Sequence, residues 1–380
     1  MKRLLALLLL VPAGCGGPQK TAEIKLAAAK PDAVEALKDG ARSVRLGAAN
    51  YERALDRLRA ARDLDPKLWE AHYDEGWVLI KLRRPDEAIA PLEKAFAILP
   101  THVPTVEALG EAYSSSGRHS DAVRAYKAYL DRAGPQAKIS VRVALGAALR
   151  RAGKLDDSFE ALRQALRLAG KSDMPAALNQ MALVYLQKGQ LELAELVLKK
   201  ALDVDDKSRA AADTWNNLGL VALSRRRDQE AFAHFEAATK LDPQLAVARR
   251  NKAVVYLDCG DYGKAAEELR QAVRADATDA AAWVALGVAE RGRNQLDAAG
   301  KAYEKALDVN PREPDALFNL GVLHMDFRKE PVRAKERFEQ FLKAAPSGHA
   351  RRTDAENRLK DLNKQGAPPT STPAPTPGHT

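Results

Sequence analysis

The sequence predicts an all-α fold, a solenoid of stacked helix–turn–helix units, and three observations carry that reading. Apolar residues recur three and four apart in segments of about a dozen, which is the periodicity of a helix and not of a strand. Glycine or alanine returns at fixed offsets from large apolar residues, and the whole pattern comes back after about thirty-four residues. Asparagine, aspartate and proline close many of the units, where proline cannot continue a helix.

The chain opens with Lys2 and Arg3, an apolar run from Leu4 to Val11, and small residues before Cys15. This is the pattern of a secretory signal peptide over 1–14, too short to span a bilayer as a helix. Its end, VPAGC, resembles a lipoprotein signal, in which the cysteine receives lipid and becomes the first residue. Ala13, Gly14 and Cys15 fit that pattern, whereas Pro12 stands where leucine is usual. Val-Pro-Ala can also be read as an ordinary signal-peptidase site. Gly16 is not the aspartate that marks inner-membrane retention in that family, so the resemblance implies the outer membrane. Residues 15–33 read as the lipidated N-terminus and a tether.

The repeats follow over 34–346. The first keeps only its second helix cleanly, in Tyr51, Ala54, Leu58 and Ala61, before Pro66. The next is carried by Gly76, Leu79, Ala88, Leu92, Ala95 and Pro100, and the one after by Leu109, Gly110, Tyr113, Gly117, Ala122 and Tyr126. Leu145, Gly146, Leu149, Gly153, Leu162 and Ala165 repeat the pattern, with Ser158 at a small-residue position. Then come Leu178, Met181, Ala182, Tyr185, Gly189, Ala194, Leu198 and Ala201. Trp215, Leu218, Gly219, Ala231, Phe235, Ala238 and Pro243 form the next unit, and Tyr256, Gly260, Tyr262, Ala265, Leu269 and Ala272 another.

The clearest unit is Ala280 to Pro311, where Trp283, Leu286 and Gly287 precede a turn at Gly292 to Asn294, and Leu296, Ala299, Tyr303 and Ala306 follow it. Gly287 and Ala299 sit where two helices cross, since anything larger would push them apart. The last unit, with Leu317, Leu320, Gly321, Ala334, Phe338 and Pro346, carries one inserted residue near Glu330. One unit alone leaves an apolar face open, so the units must stack. The charged segment 347–365, with Ala355, Leu359 and Leu362 on one face, predicts a capping helix. Residues 366–380, GAPPTSTPAPTPGHT, lack bulky apolar side chains and predict an extended, disordered tail.

The spacing W-x2-LG, A-x3-Y-x2-A and P resembles the tetratricopeptide repeat (TPR). The resemblance implies a right-handed superhelical solenoid of about nine repeats, whose first helices line a concave surface. It also implies a non-enzymatic, membrane-tethered interaction scaffold. Exported bacterial TPR lipoproteins of this kind assist type IV pilus, secretin and gliding-motility assembly. A docking or regulatory subunit for a cell-wall synthase or hydrolase is the other reading. In either reading the partners are envelope proteins, and the membrane is met through the anchor at Cys15.

Composition narrows the classes. The chain holds 60 Lys and Arg against 51 Asp and Glu, a formal charge of +9. Acids are interspersed with these bases, so they read as a solvated surface, and no nucleic-acid partner is expected. Of two cysteines, Cys15 is assigned to lipid and Cys259 is expected to be packed. No metal-ligand spacing, GxSxG, HExxH, P-loop or GxGxxG is present, so neither a cofactor, a metal nor a small-molecule substrate is expected. His324 reads as a packed core histidine.

Residues four apart on each first helix give the concave lining, by the implied geometry. It runs Tyr73 and Trp77, Glu107 and Glu111, Val143 and Ala147, then Asn179 and Leu183, Asn216 and Leu220, Arg250 and Val254, Val284 and Val288, Phe318 and Val322. Apolar residues occupy positions where a TPR carboxylate clamp needs asparagine, so no clamp is expected. The stripe from Asn179 to Val322 is the candidate peptide-binding surface, with Asn179, Asn216 and Arg250 available to bond a partner's backbone. The same side chains could instead meet one another between helices.

Overall fold

A computed structural model describes residues 28–365 of the chain. The expected signal 1–14, Cys15, most of the tether and the tail 366–380 lie outside these residues. Among the described residues the regular structure is helical throughout, in nineteen α-helices. They form nine successive pairs and one closing helix. The pairs are α1 (Pro31–Arg45) and α2 (Tyr51–Leu64), α3 (Trp69–Lys81) and α4 (Pro85–Ile98), α5 (Val103–Ser115) and α6 (His119–Ala133). They continue with α7 (Ile139–Arg151) and α8 (Leu155–Leu168), α9 (Met174–Gln187) and α10 (Leu191–Val204), α11 (Ala212–Ser224) and α12 (Asp228–Leu241). The last three are α13 (Ala246–Asp258) and α14 (Tyr262–Ala275), α15 (Ala280–Gly292) and α16 (Leu296–Val309), α17 (Pro314–Val322) and α18 (Pro331–Ala344), closed by α19 (Arg352–Gln365). The chain divides into two compact units, up to Val197 and from Leu198.

In the first unit the core runs from Ala33 and Leu37 of α1 through Leu58, Leu79, Leu92 and Leu109 to Tyr126 and Leu149. Four crossings of this unit, at Gly40, Gly76, Gly110 and Gly146, place a glycine of the first helix against a large side chain of the second. A Cβ on Gly76 would lie 2.4 Å from Leu92 Cγ, and one on Gly146 would lie 2.5 Å from Leu162 Cγ. Ser158 holds a small-residue position with its hydroxyl satisfied, donating to the Gly146 carbonyl at 2.7 Å. The sequence shows only the second helix of the first repeat cleanly. The structure supplies its partner, α1, in which Gly40 meets Leu58 at the same kind of crossing.

In the second unit the large partners facing a glycine are aromatic, as Tyr126 already is against Gly110 in the first. A Cβ on Gly219 would sit 2.4 Å from Phe235 Cε1, one on Gly287 2.3 Å from Tyr303 Cε1, and one on Gly321 2.6 Å from Phe338 Cε1. Where the first helix carries Ala253 instead, the facing cluster holds Leu269. Glycine with a ring and alanine with leucine are two solutions to one spacing, because interiors fill to a fixed density. At the end of the unit Ala355 and Leu362 of α19 are buried in one cluster with Phe338 and Phe341, and Leu359 packs against it.

Short aspartate and asparagine turns set the join between pairs. Asp65, Asp242, Asp276 and Asn310 each accept a backbone N–H two residues on through a side-chain oxygen, at 3.1, 3.0, 2.9 and 3.1 Å. Such side chains imitate a backbone turn, which is why these residue types stand there. The residue inserted in the last repeat is absorbed within the first helix itself. Leu323–Phe327 form a single π-turn, with Arg328 N–H bonding to Leu323 O at 3.0 Å and Glu330 N–H to His324 O at 2.8 Å. One extra residue in a helix is commonly taken up in this way. His324 is buried there and its Nδ1 lies 2.6 Å from Glu330 Oε2. That hydrogen bond holds the Glu330 carboxyl below its usual range.

Candidate protein-interaction face

The first helices present two residues per turn of the pattern, and the structure separates them by role. In the second unit one set recurs every 34 residues as Asn216, Arg250, Val284 and Phe318. These four turn toward neighbouring helices. Asn216 is 4 % exposed and accepts from Asn251 Nδ2 at 2.8 Å, so its oxygen is already engaged by the next repeat. Arg250 donates to Asp279 Oδ2 at 2.5 Å. Val284 is buried among Tyr303, Ala316 and Leu320, and Phe318 makes edge-on contacts with Phe338 and Phe341.

The other set, Leu220, Val254, Val288 and Val322, also recurs every 34 residues and is half-buried throughout. This row leaves apolar surface open along α11, α13, α15 and α17. Its flanks are charged: Arg291, on α15, donates to Asn319 Oδ1 at 3.2 Å and lies over the Phe327 ring at 5.9 Å. In the first unit Asn179 is buried and Leu183 is half-buried on α9. The expected stripe is therefore two stripes, one spent on packing between helices and one left at the surface. The sequence could not separate them, because the packed residues find their partners on other helices, Asn216 on the next repeat and Phe318 on α18.

The first unit carries a different face. Tyr73 stands edge-on to His102 at 5.3 Å, and Trp77 to Tyr51 at 6.2 Å, so the rings are fixed. Glu107 accepts from the Ser140 hydroxyl at 2.7 Å. Burial pushes the Tyr73 hydroxyl up to about 12, with the carboxylates of Asp74, Glu107 and Glu111 adding to it. Burial likewise raises the Asp74 carboxyl to about 7, with Glu70 contributing. Burial lowers His102 to about 4, so it is neutral at physiological pH.

Sequence reasoning placed Cys259 in the packing, and the structure corrects this. It is a free, exposed cysteine, because it follows the last residue of α13 and precedes the turn at Gly260. Among the described residues no group of His, Cys, Asp and Glu is arranged to hold a metal ion, and no helix is long and apolar enough to cross a membrane. The anchor expected at Cys15 lies outside the described residues.

Comparison with known proteins gives the same repeats. Family models described as Tetratricopeptide repeat match residues 43–102, 136–207, 173–244, 222–287 and 315–348, and one described as TPR repeat matches 289–326. Among relatives, the chain is 25% identical over 309 residues to the protein O-mannosyl-transferase TMTC3 of Homo sapiens, covering 78% of this chain and 30% of that one. It is 30% identical to the type IV pilus assembly protein PilF of Pseudomonas aeruginosa, over 36% of this chain and 56% of that protein. It is also 39% identical over 67 residues to the cellulose synthase 2 operon protein C of Komagataeibacter xylinus, covering 17% of this chain and 5% of that one. The chain thus spans only a part of the curated relatives it matches. Among solved structures, Cut9 with Hcn1 of the APC/C is similar with a TM-score of 0.55 at 17% identity, over 82% of this chain and 59% of that one. Human IFIT1 is similar with a TM-score of 0.52 at 16% identity, over 89% of both chains. These two likenesses bear on the fold alone.

Proposed function

We propose, from the premise that this chain belongs to the tetratricopeptide-repeat family, that it is a non-enzymatic scaffold of the bacterial cell envelope. It is tethered to the outer membrane by lipid on Cys15, faces the periplasm, and helps assemble a motility, pilus or secretion machine. Proteins of this family are protein-interaction scaffolds, and the observation that supports the reading here is the row Leu220, Val254, Val288 and Val322. It is an apolar row on four first helices, packed on its inner side and half-buried, which is the kind of surface that receives an extended or helical segment. The relative named for type IV pilus assembly supports the choice of machine.

Two substitutions test the two halves of the proposal. Val254→Glu with Val288→Glu places charge in the middle of the row at half-buried positions, so the helical circular dichroism signal should persist while capture of envelope proteins falls. Undiminished capture by the folded double variant would remove the row as the site. Separately, Cys15→Ser should release the protein from membranes into the soluble periplasmic fraction. A second buried acyl chain makes the native anchor stable, since each methylene contributes about 0.8 kcal/mol. Membrane fractionation unchanged by the substitution would end the lipid half of the proposal.

A further inference from the structure

A cleft of about 580 Å3 opens between α16, α17 and α18, on residues the first-helix row does not use. Leu307, Leu317 and Ala344 supply its apolar floor, and Arg312, Arg337 and Lys343 line it with positive charge. The charge is uncompensated. Among the described residues no carboxylate pairs with any of the three, and the Arg337 guanidinium donates only to Gln340 Oε1, at 2.9 Å. Asp308, the one acid lining the cleft, is already held by Lys305 at 2.9 Å. Several arginines of this unit are matched, Arg249 with Glu268 at 2.7 Å, Arg328 with Asp297 at 2.8 Å and Arg358 with Asp326 at 2.8 Å, whereas Arg291 meets only Asn319 and the Phe327 ring. Three unmatched cations around one apolar floor specify the ligand's chemistry. It must carry an apolar group flanked by carboxylates.

We propose that this cleft docks a short acidic segment of a partner protein, with one apolar side chain on Leu307, Leu317 and Ala344 and its carboxylates on Arg312, Arg337 and Lys343. The volume falls in the range of about 300–1,000 Å3 typical of ligand pockets, so it admits a few residues and not a folded surface. A membrane surface is the less fitting occupant. Its headgroups form a broad plane, whereas these cations line a concavity whose floor must be reached by a protruding side chain. Carboxylates on guanidinium groups are also the charge-assisted pairs that give orientation as well as attraction. The inference goes beyond the first-helix site, shares no residue with it, and fails or stands independently of it.

The test is fluorescence anisotropy with the mature full-length chain and a labelled hexapeptide, Asp-Glu-Leu-Phe-Asp-Glu. Saturable binding is expected, weakening as salt rises. Arg312 and Lys343 are exposed, so Arg312→Glu with Lys343→Glu should keep the fold by circular dichroism and weaken binding at least tenfold. The Val254→Glu and Val288→Glu variant should bind the peptide as the native chain does. A peptide with Gly-Gly in place of Leu-Phe should bind at least tenfold more weakly, and one with lysine in place of its acids should not bind. Equal affinity in the charge-reversed variant, or no saturation at millimolar peptide, overturns the proposal. So does retention of the chain on phosphatidylglycerol vesicles, lost on charge reversal, with no binding of the peptide.

Discussion

Gly287→Ala is expected to destabilise the second unit by roughly 1–3 kcal/mol, with leucine at the same position costing more. The new Cβ would lie 2.3 Å from Tyr303 Cε1, 2.5 Å from Cδ1 and 2.8 Å from Cζ. Tyr303 cannot swing aside, because its side chain is fully buried against Ala299, Ala306, Leu320 and Leu323. The neighbouring repeat shows the remedy in Ala253 and Leu269, both fully buried in one cluster. Tyr303→Leu should therefore be harmful alone, by leaving a void, and helpful beside Gly287→Ala. The two changes should couple by about 0.5–3 kcal/mol in a double-mutant cycle read by chemical denaturation. Strictly additive effects would mean that the ring and the glycine are not matched. Because each repeat touches only its neighbours, hydrogen exchange in Gly287→Ala should rise over α14 to α18 and stay unchanged over α3 to α6.

Asp74→Asn should stabilise the first unit at pH 8 and have little effect at pH 4. Burial, with Glu70 second, raises the Asp74 carboxyl to about 7, and among the described residues nothing hydrogen-bonds to it. In the unfolded chain an aspartate titrates near 3.9. Between about pH 4 and 7 the folded state keeps a proton that the unfolded state has released. Stability carried by this group thus falls as pH rises through that window and is level above it. Asparagine keeps the shape and removes the ionisation, so the gain at pH 8 should be up to about 4 kcal/mol. Denaturation midpoints measured from pH 4 to pH 8 check this. Parallel profiles for the two proteins would show that Asp74 ionises without cost in the folded state.

Much of the architecture is legible because the repeat copies its own packing rule. Gly76 and Leu92, Gly110 and Tyr126, Gly219 and Phe235, and Gly287 and Tyr303 are each 16 residues apart, so one unit teaches the next. The rule also marks where reading stops. Gly40 meets Leu58 at a spacing of 18, which hid α1 from the pattern. The insertion in the last repeat shows as an extra residue near Glu330, and hydrogen bonding sets the turn that absorbs it at Leu323–Phe327. The candidate face was half legible. Helical spacing groups Asn216 with Leu220 and Val284 with Val288, yet only the neighbouring repeat decides which of each pair is covered. Asn251 of the next repeat covers Asn216. The cleft beside α18 gave no sequence signal, since Arg312, Arg337 and Lys343 come together only when three helices meet.

That the first-helix row is the partner-binding surface is tested most directly by crosslinking from within it. A photo-crosslinking amino acid at Val254, half-buried in the row, is compared in cells with the same group at Lys301, exposed on α16. The expected result is a discrete protein adduct from position 254 and none from position 301. Adducts from 301 with none from 254 would contradict the assignment and move the site to the second helices.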